Sequence, residues 1–194
     1  MIIVDTVNYT LDYYNKNFES FVDRTLRADL TSLQNEFLSY IGKTGRILDL
    51  GCGSGRDSKV FVQRGYDVVS VDGSEKLCKS ASLYIGKDVI CSTFQDYVPE
   101  GMFDGIWACS SLLHLNPDDL VQVIQKCTSS LKRSGIFYMS FKYGNFEGER
   151  DGRFFVDMDE NSFVSIMEKF PELKILRIGT SLDVRDDRDV KWLN

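Results

Sequence analysis

The chain has 194 residues, of which 43% are hydrophobic and 27% are charged, and its formal net charge is −6. This composition is typical of a globular protein, and the length suits one hydrophobic core better than two. An acidic chain lacks the basic surface that neutralises nucleic-acid phosphates, so a small molecule is the expected partner and a nucleic acid is disfavoured.

The amino terminus lacks the basic and apolar segments of a signal peptide, and no apolar run is long enough to cross a bilayer. These features predict a cytoplasmic protein that does not enter the membrane. Five cysteines are scattered along the chain and there is one histidine, so we expect reduced thiols and no metal site.

The first forty residues or so have the apolar spacing of helices. Phe18, Phe21 and Val22 recur at helical intervals, and Gly42 ends a second helical pattern. Phe18 and Phe21 are expected to pack against the core.

From Arg46 onward, short β-rich runs alternate with helical patterns. The predicted strands are residues 47–50, 67–72, 89–91, 103–110, 135–141 and 174–178. The predicted helices are residues 58–64, 74–86, 117–131 and 160–170, with N-caps at Ser74, Asn116 and Asp159. Such alternation predicts a mainly parallel sheet covered on both faces. Ligands of these sheets bind at the carboxyl ends of the strands, so we expect the loops after residues 50, 72, 91 and 110 to form the site.

A glycine-rich turn, residues 51–55, joins the first predicted strand to the next helix. The dinucleotide-binding fingerprint would have its third glycine at Arg56, so the spacing disfavours NAD. Asp49 lies just before the turn, where its charge would repel a pyrophosphate but attract the ammonium of an amino acid. Asp72 ends the second strand, where a carboxylate can accept the hydroxyls of a ribose. A turn that serves only packing is the alternative.

The run from Asp49 to Gly55, the acid Asp72 and the run from Phe103 to Ala108 resemble the successive motifs of class I S-adenosylmethionine-dependent methyltransferases. The likeness is greatest to the small bacterial tellurite-resistance type, which shares the Gly-Arg-Asp-Ser ending of the first motif. It implies a Rossmann-like, doubly wound α/β fold with a seven-stranded, mainly parallel sheet whose last strand is antiparallel. It also implies one methyltransferase domain over residues 1–194, S-adenosylmethionine as cofactor and S-adenosylhomocysteine as product.

The resemblance also implies roles for particular residues. Gly51 and Gly53 would approach the methionine part of the cofactor, Asp72 would hold the ribose, and Thr93 and Phe94 would flank the adenine. Thr93 stands where many members of the family have an acid. The expected cofactor-binding residues are Tyr14, Asp49, Gly51, Cys52, Gly53, Asp57, Asp72, Gly73, Ser74, Thr93, Phe94, Ala108 and Ser110.

Methyl transfer from a sulfonium is a direct displacement, which needs positioning and exclusion of water more than a catalytic dyad. His114, beyond the fourth strand, is the candidate general base because of its near-neutral pKa, with simple packing as the alternative. In similar enzymes the helical front segment, here residues 1–44, folds over the cofactor as a lid. Tyr14 is expected to touch the methionine end.

A glycine-rich stretch, residues 140–154, follows the fifth strand and is predicted to be a functional loop. Its cationic and aromatic side chains suit an anionic substrate, with surface ion pairs as the alternative. The expected substrate-binding residues are Lys142, Tyr143, Arg153 and Arg185, joined by Asp183 and Arg188. The sequence therefore predicts methyl transfer to a small, anionic acceptor. A non-catalytic sensor or partner subunit and an NAD-dependent oxidoreductase are the alternatives.

Overall fold

The computed structural model describes residues 6–185 and 189–194, so Arg188 lies outside the described residues. The helices are α1 (Thr6–Lys16), α2 (Phe18–Leu26), α3 (Thr31–Ile41), α4 (Arg56–Gln63), α5 (Glu75–Ile85), α6 (Pro117–Ser129) and α7 (Glu160–Met167), with a 3-10 turn at Leu112–His114. The strands are β1 (Arg46–Leu50), β2 (Asp67–Asp72), β3 (Val89–Cys91), β4 (Phe103–Ala108), β5 (Leu131–Met139), β6 (Phe141–Lys142), β7 (Glu147–Arg150), β8 (Arg153–Val156), β9 (Thr180–Leu182) and β10 (Lys191–Leu193). No helix in these two ranges is long and apolar enough to cross a membrane.

The central sheet has five strands in the order β3-β2-β1-β4-β5, and every pairing in it is parallel. The expected parallel α/β fold is therefore confirmed. The strand order reverses beside β1, so the loops after β1 and β4 flank a crevice at the carboxyl edge of the sheet.

Both faces of this sheet are buried, as the alternation of strands and helices predicted. Ile47 and Trp107 pack on one face against Phe37 of α3, whereas Leu48 and Ile106 face the opposite core with α6. Neighbouring residues point to opposite faces because side chains alternate along a strand. Helix α3 therefore packs on one face of the sheet as part of the core.

A second sheet, in the order β6-β10-β9, is antiparallel. It adjoins the first because β6 follows β5 after Ser140, whose N–H donates to the carbonyl of Ala108 (3.2 Å). The expected count of seven strands in one sheet is thus not exact, although the last strand, β10, is antiparallel to both neighbours. The predicted strand over residues 174–178 is wrong. Ile175 and Ile178 of this segment pack against the core, but antiparallel pairing begins only at Gly179, which exchanges backbone hydrogen bonds with Asn194.

The predicted loop over residues 140–154 is wrong too, because this stretch contains β6 and most of an antiparallel hairpin of β7 and β8. Asp151 and Gly152 form the turn with φ of 52° and 76°. Asp-Gly is the pair that tight hairpin turns favour, since both central residues need positive φ.

Local capping signals were predicted well. Ser74, Asn116 and Asp159 each accept a hydrogen bond from a backbone N–H in the first turn of α5, α6 and α7, which confirms three expected N-caps. Helix α6 nevertheless ends at Ser129 rather than at Leu131. Ser130 closes its last turn by donating through its hydroxyl to the carbonyl of Cys127 (2.8 Å), so β5 starts at residue 131 instead of 135.

Candidate functional site

The glycine turn between β1 and α4 leaves little room for a side chain at Gly51 and Gly53. A Cβ on Gly51, whose φ is +83°, would lie 2.4 Å from the Cβ of Ser111. A Cβ on Gly53, whose φ is +55°, would lie 3.1 Å from the ring of Phe21. Only glycine adopts these conformations without strain, and it leaves bare backbone facing the crevice.

Asp72, at the carboxyl end of β2, is buried beside this turn. Its Oδ2 accepts the N–H of Gly53 (2.9 Å) and its Oδ1 accepts the N–H of Ser74 (2.9 Å). Burial raises the pKa of this carboxyl, and the two backbone N–H groups oppose that rise. Each oxygen keeps a lone pair that a ligand hydroxyl could use.

The first cavity lies between the glycine turn, Asp72 and helices α1 and α2. With its mouth it spans about 650 Å³, a size common among small-molecule sites. Its lining residues are Thr10, Leu11, Tyr14, Phe21, Gly51, Gly53, Asp72, Gly73, Leu77, Thr93, Phe94, Gln95, Ser110, Ser111, His114 and Leu115. They include residues from all four loops that were expected to form the site, so these loops meet at one cavity.

The second cavity is larger, about 1,450 Å³ with its mouth, and shares a wall with the first. The shared residues are Tyr14, Phe21, Gly51, Gly53, Ser110 and His114. Beyond this wall the second cavity is lined by cationic and aromatic side chains, among them Arg56, Lys142, Arg153, Phe155 and Arg185. The two cavities are therefore adjacent at the glycine turn.

Tyr14 and His114 are hydrogen-bonded at this shared wall. The Nδ1 of His114 lies 2.7 Å from the carbonyl of Phe154, which can only accept, so Nδ1 carries the hydrogen. The free Nε2 accordingly accepts from the Tyr14 hydroxyl at 2.8 Å. Burial lowers the pKa of His114 to about 3, with a smaller contribution from the charges of Arg153 and Lys142. The near-neutral pKa that favoured a general base is thus absent from the folded protein.

Three cationic side chains lie around the ring of Phe155, a buried residue of β8. The Nζ of Lys142 lies 3.7 Å from the ring centroid, and the guanidinium carbons of Arg150 and Arg153 lie 4.8 and 5.0 Å from it. Arg150 also pairs with Asp157 (2.8 Å). Aromatic faces attract cations, so this ring holds a positive wall of the second cavity in place.

Asp57 lies at the start of α4 with every oxygen engaged. It accepts from Nε and Nη2 of Arg56 (2.9 and 2.8 Å), from Gln34 (2.7 Å) and from the indole of Trp107 (3.0 Å). Although burial alone would raise its pKa, Arg56 and these hydrogen bonds hold the pKa below its usual value. Asp57 is therefore a structural anion at the edge of the second cavity.

Asp49 lies beneath the glycine turn. Its Oδ2 accepts from the hydroxyl of Ser58 (2.6 Å), and it lines neither cavity. Burial and the charge of Asp57 raise its pKa to about 8. The expected fixed negative charge under the turn is thus largely neutralised at pH 7 in this structure.

Most of the expected cofactor-binding residues surround the first cavity, namely Tyr14, Gly51, Gly53, Asp72, Gly73, Thr93, Phe94 and Ser110. Cys52 and Asp57 line the second cavity alone, whereas Asp49, Ser74 and Ala108 line neither. Ser74 is instead held by capping α5 and by donating to Asn15 (2.8 Å). Ala108 is fully buried in β4.

Three of the expected substrate-binding residues, Lys142, Arg153 and Arg185, line the second cavity with Asp183. The structure does not bring Tyr143 to either cavity. Its hydroxyl donates to Glu160 (2.9 Å) and the ammonium of Lys191 lies 3.8 Å from its ring. Tyr143 points away because Lys142, its neighbour on the chain, faces the cavity.

Several lining residues were missed by the sequence analysis. Phe21, expected only to pack against the core, lines both cavities. Thr10 and Leu11 lie four and three residues before Tyr14, and this helical spacing could have placed all three on one face. The remaining missed residues of the first cavity are Leu77, Gln95, Ser111 and Leu115.

Comparison with known proteins relates the central part of the chain to methyltransferases. Residues 48–139 match the model of a family described as a methyltransferase domain. The chain is 29% identical over 100 residues to ubiquinone biosynthesis O-methyltransferase of Rhodopseudomonas palustris, covering 49% of this chain and 39% of that protein. It is 33% identical over 104 residues to N-terminal Xaa-Pro-Lys N-methyltransferase 1 of Mus musculus, covering 48% and 47%. The chain thus spans less than half the length of either relative.

Solved structures share the whole fold at low sequence identity. One is the 1,6-didemethyltoxoflavin-N1-methyltransferase of Burkholderia thailandensis, solved with 1,6-didemethyltoxoflavin and S-adenosylhomocysteine bound. It superposes with a TM-score of 0.74 at 17% identity, covering 100% of this chain and 89% of that one. Magnesium protoporphyrin IX methyltransferase of Synechocystis, with S-adenosylhomocysteine bound, superposes with a TM-score of 0.71 at 18% identity, covering 97% and 98%. The narrower tellurite-resistance type stays a prediction. Residues 48–139 thus match a methyltransferase domain, and the chain as a whole has the Rossmann-like fold of the class I S-adenosylmethionine-dependent methyltransferases.

Proposed function

We propose that the protein transfers a methyl group from S-adenosylmethionine to a small anionic molecule. The observation that carries this proposal is the wall shared by the two cavities, where donor and acceptor would meet. The cofactor supplies an electrophilic methyl group on a sulfonium. The protein supplies position, burial and the exclusion of water, which lower the barrier of a direct displacement.

The lining of the first cavity supports binding of S-adenosylmethionine there. The bare backbone at Gly51 and Gly53 admits the methionine part, and Asp72 has a lone pair on each oxygen for the ribose hydroxyls. Phe94 offers an aromatic ring beside Thr93 for the adenine. The Thr93 hydroxyl donates to Asp96 (2.8 Å), so its backbone, rather than its side chain, is left for the adenine edge.

The charges of the second cavity support an anionic acceptor. Arg56 and Arg185 are paired with Asp57 and Asp183, at 2.8 and 2.5 Å. Arg153 has no carboxylate partner among the described residues, so it contributes net positive charge to the cavity. The net charge of −6 over the whole chain favours a small acceptor of this kind over a nucleic acid.

Thermal unfolding with saturating S-adenosylmethionine, S-adenosylhomocysteine or NAD tests the donor. A ligand that binds only the folded protein raises Tm, by about 2.7 kcal/mol of stabilisation at a hundred times its Kd. We expect both sulfur compounds to raise Tm and NAD to leave it unchanged. A larger shift with NAD, or none with either sulfur compound, would refute the proposal.

Transfer of label from methyl-labelled S-adenosylmethionine separates an enzyme from a sensor. The acceptor pool is a small-molecule extract of bacterial cells, and heat-denatured protein is the control. We expect label in the small-molecule fraction above that control. Cofactor binding without any transfer would instead favour the non-catalytic sensor or partner subunit.

A further inference from the structure

Arg153, the first residue of β8, is a cation surrounded by ring faces. Its guanidinium carbon lies 4.2 Å from the ring centroid of Tyr13, 5.0 Å from that of Phe155 and 5.7 Å from that of Tyr14. Its Nε is buried without a hydrogen-bond partner in the structure. Buried donors of this kind normally have a partner, so an acceptor oxygen from a ligand would complete the site.

The fold holds Arg153 beside the wall shared by the two cavities. The next residue, Phe154, donates its N–H to the hydroxyl of Thr10 (3.1 Å) and accepts at its carbonyl from His114. The hairpin turn before it packs on α1, since a Cβ on Gly152 would lie 3.1 Å from the Tyr13 ring. The positive charge of Arg153 is therefore directed to the place where methyl transfer would occur.

The described residues that line the two cavities offer no ready base. Asp57 and Asp183 are paired with arginines, and Asp72 is held by two backbone N–H groups. Asp29 accepts a backbone N–H (2.9 Å), and both nitrogens of His114 are hydrogen-bonded. The cysteines and tyrosines with buried side chains in these walls have raised pKa values and stay protonated. An acceptor that must first lose a proton would therefore depend on carboxylates that are already hydrogen-bonded.

Building on the proposed methyl transfer, we propose that the acceptor is the oxyanion of a small acid, of the carboxylate or phosphonate type. Arg153 binds this oxyanion, and an oxygen of the oxyanion is the atom that is methylated. A lone pair of that oxygen forms the O–C bond while the C–S bond breaks and leaves its electron pair on sulfur. No proton moves, so no base is required. The planar guanidinium matches carboxylate and phosphonate oxygens with a fork of N–H donors.

Binding of benzoate and phenylphosphonate, with the neutral benzamide as their control, tests the anion site. Each probe is titrated calorimetrically into wild type and Arg153→Met, with and without saturating S-adenosylhomocysteine. Methionine keeps an unbranched stem against the rings and removes the charge. Arg133→Met, an exposed change at the start of β5, is the matched control. We expect at least one anion to bind at least tenfold more tightly than benzamide, and Arg153→Met alone to weaken that anion about tenfold.

The proposal would be overturned if benzamide bound as tightly as the anions, or if Arg153→Met left the affinity for the anion unchanged. The comparison of probes on wild type stands even if the variant fails to fold. Transfer of label from S-adenosylmethionine to the probe that binds should yield the methyl ester of that probe. Binding without formation of the ester would overturn the assignment of an oxyanion oxygen as the methyl acceptor. Failure of S-adenosylhomocysteine to bind would count against the proposed function instead, because the anion titrations are also made without it.

Discussion

The hydroxyl of Tyr14 donates to the Nε2 of His114 at 2.8 Å, across 100 residues of sequence. This hydrogen bond joins α1 to the 3-10 turn after β4 on the wall shared by the two cavities. Thr10, one turn earlier on α1, accepts the N–H of Phe154 (3.1 Å). The two contacts hold α1 over the first cavity, so the helix and the site are coupled.

Replacing Tyr14 with phenylalanine tests this coupling. The change leaves the buried Nε2 of His114 without a partner, and unsatisfied buried groups cost roughly 1–3 kcal/mol. We expect the free energy of unfolding in urea to fall by about that amount and the affinity for S-adenosylhomocysteine to fall with it. Tyr13→Phe, which keeps the ring that faces Arg153, is the control. Equal losses in both variants would contradict a role for the hydrogen bond.

Gly51→Ala tests whether the turn must lack a side chain. The new Cβ would lie 2.4 Å from the Cβ of Ser111, so we expect binding of S-adenosylhomocysteine to be lost. Gly86→Ala is the matched control, because its φ is also positive (81°) but nothing lies within 4 Å of the added Cβ. It should cost only the backbone strain, about 1–2 kcal/mol, and retain binding. Titration calorimetry on both variants would reveal any binding that Gly51→Ala keeps.

The fold was predictable where its causes are local. The β-branched run of β2 and the caps at Ser74, Asn116 and Asp159 lie within a few residues of what they determine. Residues 174–178 include two β-branched isoleucines as well, yet they form no strand, because antiparallel pairing starts only at Gly179, opposite Asn194. Strand pairing depends on a distant partner, which a local pattern does not contain.

The site was predictable where topology alone brings residues together. Gly51 and Asp72 follow adjacent parallel strands, so their meeting follows from the strand order. The pair of Tyr14 and His114 depends on how α1 packs, and the depressed pKa of His114 depends on burial beneath β8. Neither the hydrogen bond nor the lowered pKa can be predicted from the residues next to His114 in the sequence.

Asp72→Asn tests the carboxylate assigned to the ribose. An asparagine can accept only one of the two N–H groups from Gly53 and Ser74, and its amide hydrogens would face the other. Hydrogen bonds to a charged group contribute about 1.5–3 kcal/mol, so we expect the Kd for S-adenosylhomocysteine to rise at least about tenfold. Asp67→Asn, at the exposed opposite end of β2, should leave the Kd within about twofold. An unchanged Kd in Asp72→Asn would remove this residue from the cofactor site.

Asp49→Asn tests the raised pKa beneath the glycine turn. Burial and the charge of Asp57 raise the pKa of Asp49 from 3.8 to about 8, so between these values the folded protein binds more protons than the unfolded chain. The contribution of Asp49 to stability is therefore full below about pH 4 and is lost as the pH rises to 8, on the order of 1 kcal/mol per pH unit. Asparagine does not ionise, so urea unfolding of the variant should lose less stability than wild type from pH 6 to pH 8. Asp67→Asn should follow wild type, and parallel pH profiles of all three proteins would show that Asp49 is ionised throughout.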